Sequence, residues 1–139
     1  MNETIEFYKK YIGQRIANGP SPFGNWLNGK ILKVEEDSLA IEFEVRENMV
    51  NPVKMLHGGI IAAMMDEIIG MTIFASGEKN FFFSLNLHVD FFSNVRVGTN
   101  VVVTTKLIKK NARMIQAECV ITGPEDKLIA KGSTNLIST

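Results

Sequence analysis

The segment Asn51-Pro52-Val53-Lys54-Met55-Leu56-His57-Gly58-Gly59 runs straight into an apolar stretch at residues 60–75, and it holds the residue types with chemistry to offer. Two glycines permit a tight turn that delivers the chain into a helix, whose first N–H groups lack partners within the helix and carry partial positive charge. Such an end can hold an anion, or an oxygen on which negative charge develops. Inside the apolar stretch the only charged residues are Asp66 and Glu67, set among Ile60, Ile61, Met64, Met65, Ile68 and Ile69. A helix that is apolar almost all round is buried. A carboxylate on it must therefore meet a partner, a cavity or the rim, because an unpaired buried charge costs several kcal/mol.

The elements that position these residues are legible from periodicity. Ile5, Tyr8, Ile12 and Ile16 fall at helical spacing and predict an N-terminal helix ending at Asn18-Gly19-Pro20, so residues 1–19 read as an extension of one domain, 1–139. The loop at residues 21–26 carries Phe23 and Trp26. A hairpin follows at 31–35 and 39–46, its second strand alternating Leu39, Ile41, Phe43 and Val45 with polar residues. After the helix the alternation returns over residues 81–92. Phe81, Phe83, Leu85, Leu87, Val89 and Phe91 share one face, and Phe82, Ser84, Asn86, His88, Asp90 and Phe92 share the other. Three further strands are predicted at 99–108, 113–122 and 127–137, joined by short turns. One long helix after two strands, then four strands, implies an α+β fold: a curled antiparallel sheet wrapped around a central helix.

Composition sets outer limits. At 139 residues, 45% of them hydrophobic, the chain suits a single folded domain. Fifteen basic and fifteen acidic residues leave no net charge, and so no footprint for general binding of nucleic acid or a membrane surface. The single Cys119 excludes an internal disulfide or a cysteine-based zinc site, and its alternation with Ile115, Ala117 and Ile121 predicts burial. Acidic residues near the N-terminus argue against a signal peptide. The longest apolar run, broken by Asp66 and Glu67, reads as too short to span a bilayer. A cytoplasmic location is the resulting expectation.

With His57-Gly58-Gly59, an Asn six residues before His57 and an acid nine residues after it, all within this order of elements, the chain resembles the hotdog-fold acyl-CoA thioesterases of the phenylacetate-degradation type. The resemblance covers residues 21–139. It implies hydrolysis of acyl-CoA or aryl-acetyl-CoA thioesters to the free acid and coenzyme A, with no metal or cofactor, coenzyme A being part of the substrate. By the same resemblance the Gly58 N–H is an oxyanion donor. Asp66, supplied by the neighbouring subunit, is nucleophile or general base, which requires a homodimer or a dimer of dimers. Asn51 would position the thioester or the water, His57 would hold the loop or touch the thioester, and Ser84 matches a Ser or Thr early in the strand after the helix. Lys109, Lys110 and Arg113 fall in the turn that lies near the coenzyme A phosphates, with Arg96 a similar candidate; cations there would neutralise phosphate charge.

Plainer roles stand beside these. Gly58 and Gly59 could serve only a turn, Asn51 only a loop cap, and His57 only the helix start. Adjacent helix positions point about 100° apart, so only one of Asp66 and Glu67 should face the site, and the register of the resemblance selects Asp66. In the simplest reading the strand face bearing Ser84 and His88 is the solvent face. Phe23 and Trp26 could line an acyl pocket or pack on the N-terminal helix. Two other functions share the fold. A hotdog dehydratase or hydratase usually pairs a His with an acid and often has Pro beside the His loop, where this chain has Gly58-Gly59. A non-catalytic module would bind acyl-CoA without turning it over.

Overall fold

Alternating apolar residues build the sheet. Along β5 (Asn100–Lys110), β6 (Met114–Thr122) and β7 (Leu128–Ser138) they place Val101, Val103, Ile115, Ala117, Ile121 and Leu136 on one buried face, the pattern of antiparallel strands with one wet side. The computed structural model describes residues 2–139, and in it these strands form the middle of a seven-stranded antiparallel sheet. β1 (Lys30–Glu35) and β2 (Ser38–Glu44) extend it beyond β5. On the opposite side β3 (Phe82–Ser84) and β4 (His88–Phe91) both pair with β7.

The long helix α3 (Gly58–Ala75) lies across the buried face and closes the core with Ile61, Met64, Met65, Ile68 and Ile69. Each such side chain contributes about 1.5–3 kcal/mol when fully buried. Close approach is set at Gly132 of β7, where a Cβ would collide with the Met65 sulfur. A buried polar link inside this interface is satisfied: the Thr72 and Thr105 hydroxyls lie 2.6 Å apart, Thr72 donates to the Ile68 carbonyl and Thr105 accepts from the Leu39 N–H. Cys119 is buried as expected, and burial pushes its thiol pKa up to about 12. With 18 residues and a mean hydropathy of 1.5, α3 meets the length and composition of a membrane-crossing helix, against the expectation that it is too short. Ile61, Met64, Met65, Ile68, Ile69 and Ile73 along it are buried in the core.

Three elements differ from the sequence reading. The N-terminal helix, α1 (Glu3–Lys9), is half the expected length. Asn2 caps it and also donates to the Ala75 carbonyl at 2.9 Å, pinning it to the end of α3. The chain then turns through Gly13, at φ +90°, so that Arg15 can bridge to Lys30 of β1; pairing with the sheet overrides the helical period. The expected loop at 21–26 holds a short helix, α2 (Pro22–Leu27), begun by Ser21 as a side-chain cap and Pro22 in the first turn.

The third difference shapes the site. Residues 81–92 form two strands, because four residue steps from Ser84 to His88 face only three on β7, from Leu136 to Ser133. This bulge is held by Asn86, whose carbonyl accepts from the Thr134 hydroxyl and whose Oδ1 accepts from the Asn135 N–H. One extra residue reverses which side chains face inward. Phe82 is therefore buried and Phe83 is 44% exposed, the inverse of the expected faces, while Val89 in β4 keeps the expected side and packs on the core.

Candidate active site

The start of α3 is fixed by His57. Its Nδ1 accepts from the Gly59 N–H at 2.9 Å, its carbonyl accepts from the N–H groups of Ile60 and Ile61, and its own N–H donates to the Met49 carbonyl. In its neutral form the imidazole then carries its proton on Nε2. Among the described residues the Gly58 N–H has no acceptor. A side chain on Gly58 would meet the Phe91 ring, whose Cε1 and Cζ lie 3.4 Å from the place of its Cβ. The preceding loop is tied by Asn51, whose Oδ1 accepts from the N–H groups of Val53 and Met55 at 3.0 and 3.1 Å. Its carbonyl oxygen thus caps the turn. Its amide nitrogen makes no hydrogen bond among the described residues. Arg96 bridges to Met55 and lies beside this loop, exposed.

Asp66 and Glu67 part company on the helix. The exposed Asp66 carboxylate accepts from the Ser84 hydroxyl at 3.2 Å. Glu67 turns toward α2, where its carboxylate crowds the Cβ position of Gly24. The bulge brings Ser84 to the helix side, so the face read as solvent in its simplest form meets α3. His88 stays exposed, its Nε2 at 3.2 Å from Asp90. Phe23 and Trp26 stack on each other at 5.7 Å, with the Arg46 guanidinium over the indole.

Gly58, Asp66, Ser84 and Phe91 lie along one seam between α3 and the free edge formed by β3 and β4. The strand and helix run in opposite directions there, with Phe91 at Gly58 and Ser84 at Asp66. Within one chain these groups do not converge on a single atom. Eight residues at 1.5 Å each put Asp66 about 12 Å along the axis from Gly58, whereas a carbonyl under attack needs both within about 3 Å. The four cations also divide. Lys110 donates to the Ser76 hydroxyl at 3.0 Å, so the turn with Lys109 and Arg113 sits at the far end of α3 from Arg96 and Gly58.

Sequence reasoning overlooked Phe91: the alternation put it on the inward face with Val89, where it is found, but no local signal pairs that ring with the helix start. A concavity of about 760 Å³ lies between α1 and the end of α3, lined by Glu3, Glu6, Glu36, Lys9 and Lys79 among others. It holds none of the seam's residues. Among the described residues no three His, Cys, Asp or Glu side chains gather as a metal site.

Residues 54–130 match the thioesterase superfamily. Mouse acyl-coenzyme A thioesterase 13 is 25% identical over 103 residues, 73% of this chain and 74% of that protein. The Escherichia coli PaaI protein from the phenylacetic acid degradation operon superposes with a TM-score of 0.82 at 12% identity, over 99% of this chain and 95% of that one. A hypothetical thioesterase protein of Streptococcus pneumoniae, solved with coenzyme A, gives a TM-score of 0.76 at 16% identity, covering 81% of this chain and 86% of the other. These structural likenesses establish the hotdog fold. Since the matched segment takes in more than half of the chain and contains the helix start, Asp66 and Ser84, this chain belongs to the thioesterase superfamily of thioester hydrolases.

Proposed function

We propose that the chain hydrolyses acyl-CoA thioesters at a site assembled from two copies of itself. The observation that carries this reading is the gap of about 12 Å: a helix-end donor at Gly58, without an acceptor among the described residues, and an exposed carboxylate at Asp66, about two turns along the same helix. An isologous pair with antiparallel α3 helices sets Gly58 of one copy opposite Asp66 of the other, twice over. The edge of β3 and β4, with Phe83, Phe91 and Phe92 exposed, is the surface for such pairing, and an uncovered apolar edge would otherwise invite aggregation. In the assembled site the Gly58 N–H takes the thioester oxygen as charge develops there. Asp66 attacks the carbonyl or takes the proton of the attacking water. Ser84 holds Asp66 in place, and the amide nitrogen of Asn51 is placed to orient thioester or water.

Coenzyme A as carrier is supported by the mouse relative's name and by the coenzyme A in the S. pneumoniae neighbour. The same pairing favours phosphate contacts from the partner. Asp66 and Ser76 are ten residues apart, so the partner's turn with Lys109, Lys110 and Arg113 lies about 15 Å beyond Gly58, nearer than the same chain's own turn. Alanine at all three positions raises KM for acyl-CoA and leaves kcat mostly intact, because contacts remote from the reacting carbon bind ground and transition states alike. That effect shrinks as ionic strength rises, and it vanishes with N-acetylcysteamine thioesters, which lack the nucleotide. Equal losses on both substrate types would assign the turn to folding or assembly.

The activity itself is tested by coenzyme A release from short, medium, long and aromatic acyl-CoA substrates. Turnover of at least one class is expected. Tight binding without release would instead make the chain a binding module, and hydration of an enoyl-CoA without release would make it a hydratase.

A further inference from the structure

The outward face of the sheet carries, on β4, two metal-ligating side chains that thioester hydrolysis does not use. Along that strand Val89 packs on the core and Phe91 faces the helix start, so alternation turns His88 and Asp90 to the opposite face, away from the seam. Their side chains are 71% and 60% exposed, and His88 Nε2 lies 3.2 Å from both carboxylate oxygens of Asp90. Two ligands at about 2.0–2.1 Å from one zinc ion stand about 3.4 Å apart at the tetrahedral angle, so an ion fits between these groups with little movement. Lys131 stands opposite Asp90 on β7 but makes no ion pair with it among the described residues. One His and one Asp make half of a zinc site, which takes four ligands.

The pairing that completes the active site supplies the other half. With Gly58 of one copy facing Asp66 of the next, the two-fold axis crosses α3 midway, at residue 62. On the seam Phe91 marks Gly58 and Ser84 marks Asp66. The same axis therefore crosses the strand edge midway between those two, at residues 87–88. Strands joined across a two-fold axis run antiparallel, and residues directly opposite share a face. His88 then stands opposite the partner's His88 or one diagonal step from it, with Cβ atoms about 4.5–5.5 Å apart, or under about 8 Å. Either spacing lets two imidazoles meet on one ion. Two neutral imidazoles and two carboxylates also balance the charge of a divalent cation.

Resting on the two-copy site, we infer that His88 and Asp90 of both copies form one zinc site on the two-fold axis, tying the pair together from the face opposite the reaction. Imidazole donors suit zinc, copper or nickel, whereas magnesium takes oxygen ligands. The ion takes no part in hydrolysis; it stabilises the pair that hydrolysis requires.

The test is equilibrium dialysis of zinc chloride against the chelator-stripped chain, carrying no polyhistidine tag, with sedimentation and coenzyme A release on the same samples. One zinc binds per two chains, and an equal concentration of magnesium chloride does not displace it. Zinc at 100 times its Kd tightens the pair about 100-fold, because it binds the pair and not the separate chains. Asp90→Asn weakens zinc binding by about 10–100-fold, the scale of losing a group that holds a ligating His, and His88→Gln abolishes it. Both positions are exposed, so Tm without zinc is unchanged, and kcat is unchanged at protein concentrations that keep the pair together. A paired, active chain that binds no zinc, binds one per chain, or binds it equally well as His88→Gln would overturn the inference and leave the two-copy site standing. A fully active monomer would overturn the two-copy site and this inference with it.

Discussion

Asp66→Asn lowers kcat by about 10²-fold or more, the scale of losing a positioned acid–base group, while Tm stays near the wild-type value. The substitution keeps the shape of the side chain and leaves an oxygen to accept from the Ser84 hydroxyl, which now sits at 3.2 Å from the carboxylate. What disappears is basicity and nucleophilicity at the one acidic position on the seam. Glu67→Gln has a far smaller effect, because that carboxylate packs against Gly24 of α2, away from Ser84. Coenzyme A release by the two variants, followed under saturating substrate, checks both statements. A fully active Asp66→Asn beside a dead Glu67→Gln reverses the assignment.

Gly58→Pro lowers kcat by about 10²–10³-fold, the range for removing one oxyanion donor, with the helix intact. Proline at the first helical position removes an N–H that has no acceptor within the helix, and it is tolerated there. The residue before it must be extended, and His57 already is, at φ −63° and ψ 134°. The Phe91 ring, 3.4 Å from the new Cβ position, needs to give by no more than a few tenths of an ångström. Activity thus falls without a folding defect, which circular dichroism and Tm verify. Unchanged turnover would mean that the donor at this helix end does not act on the thioester.

Much of this architecture was legible in the residues themselves. The spacing of Asn51, His57 and Asp66 survives because it is local: six and nine residues within a loop and one helix, where geometry follows from sequence distance. The three central strands were legible because β5, β6 and β7 alternate without interruption. The edge was not. Whether Phe82 or Phe83 faces the core depends on a one-residue bulge against β7, and that bulge is stabilised by Asn86 bonding to Thr134 and Asn135, nearly 50 residues away. No local pattern announces it, and it is what lets Ser84 face Asp66 while Val89 and Phe91 keep the side that the alternation expects. The N-terminal helix failed for a similar reason, since Ile12 and Ile16 keep helical spacing while the chain around them pairs with β1. The short helix α2 did carry a local signal in Ser21-Pro22, a side-chain cap followed by proline in the first turn.

The central claim is that each site draws Gly58 from one copy and Asp66 from another. It is tested most directly by unfolding Gly58→Pro and Asp66→Asn together, each nearly inactive alone, and refolding them as an equal mixture. Random pairing makes about half of the two-fold pairs mixed, and each mixed pair holds one site with both groups intact, so about one quarter of wild-type activity returns. A refolded mixture no more active than its parents would place both groups of a working site in the same chain, and contradict the account.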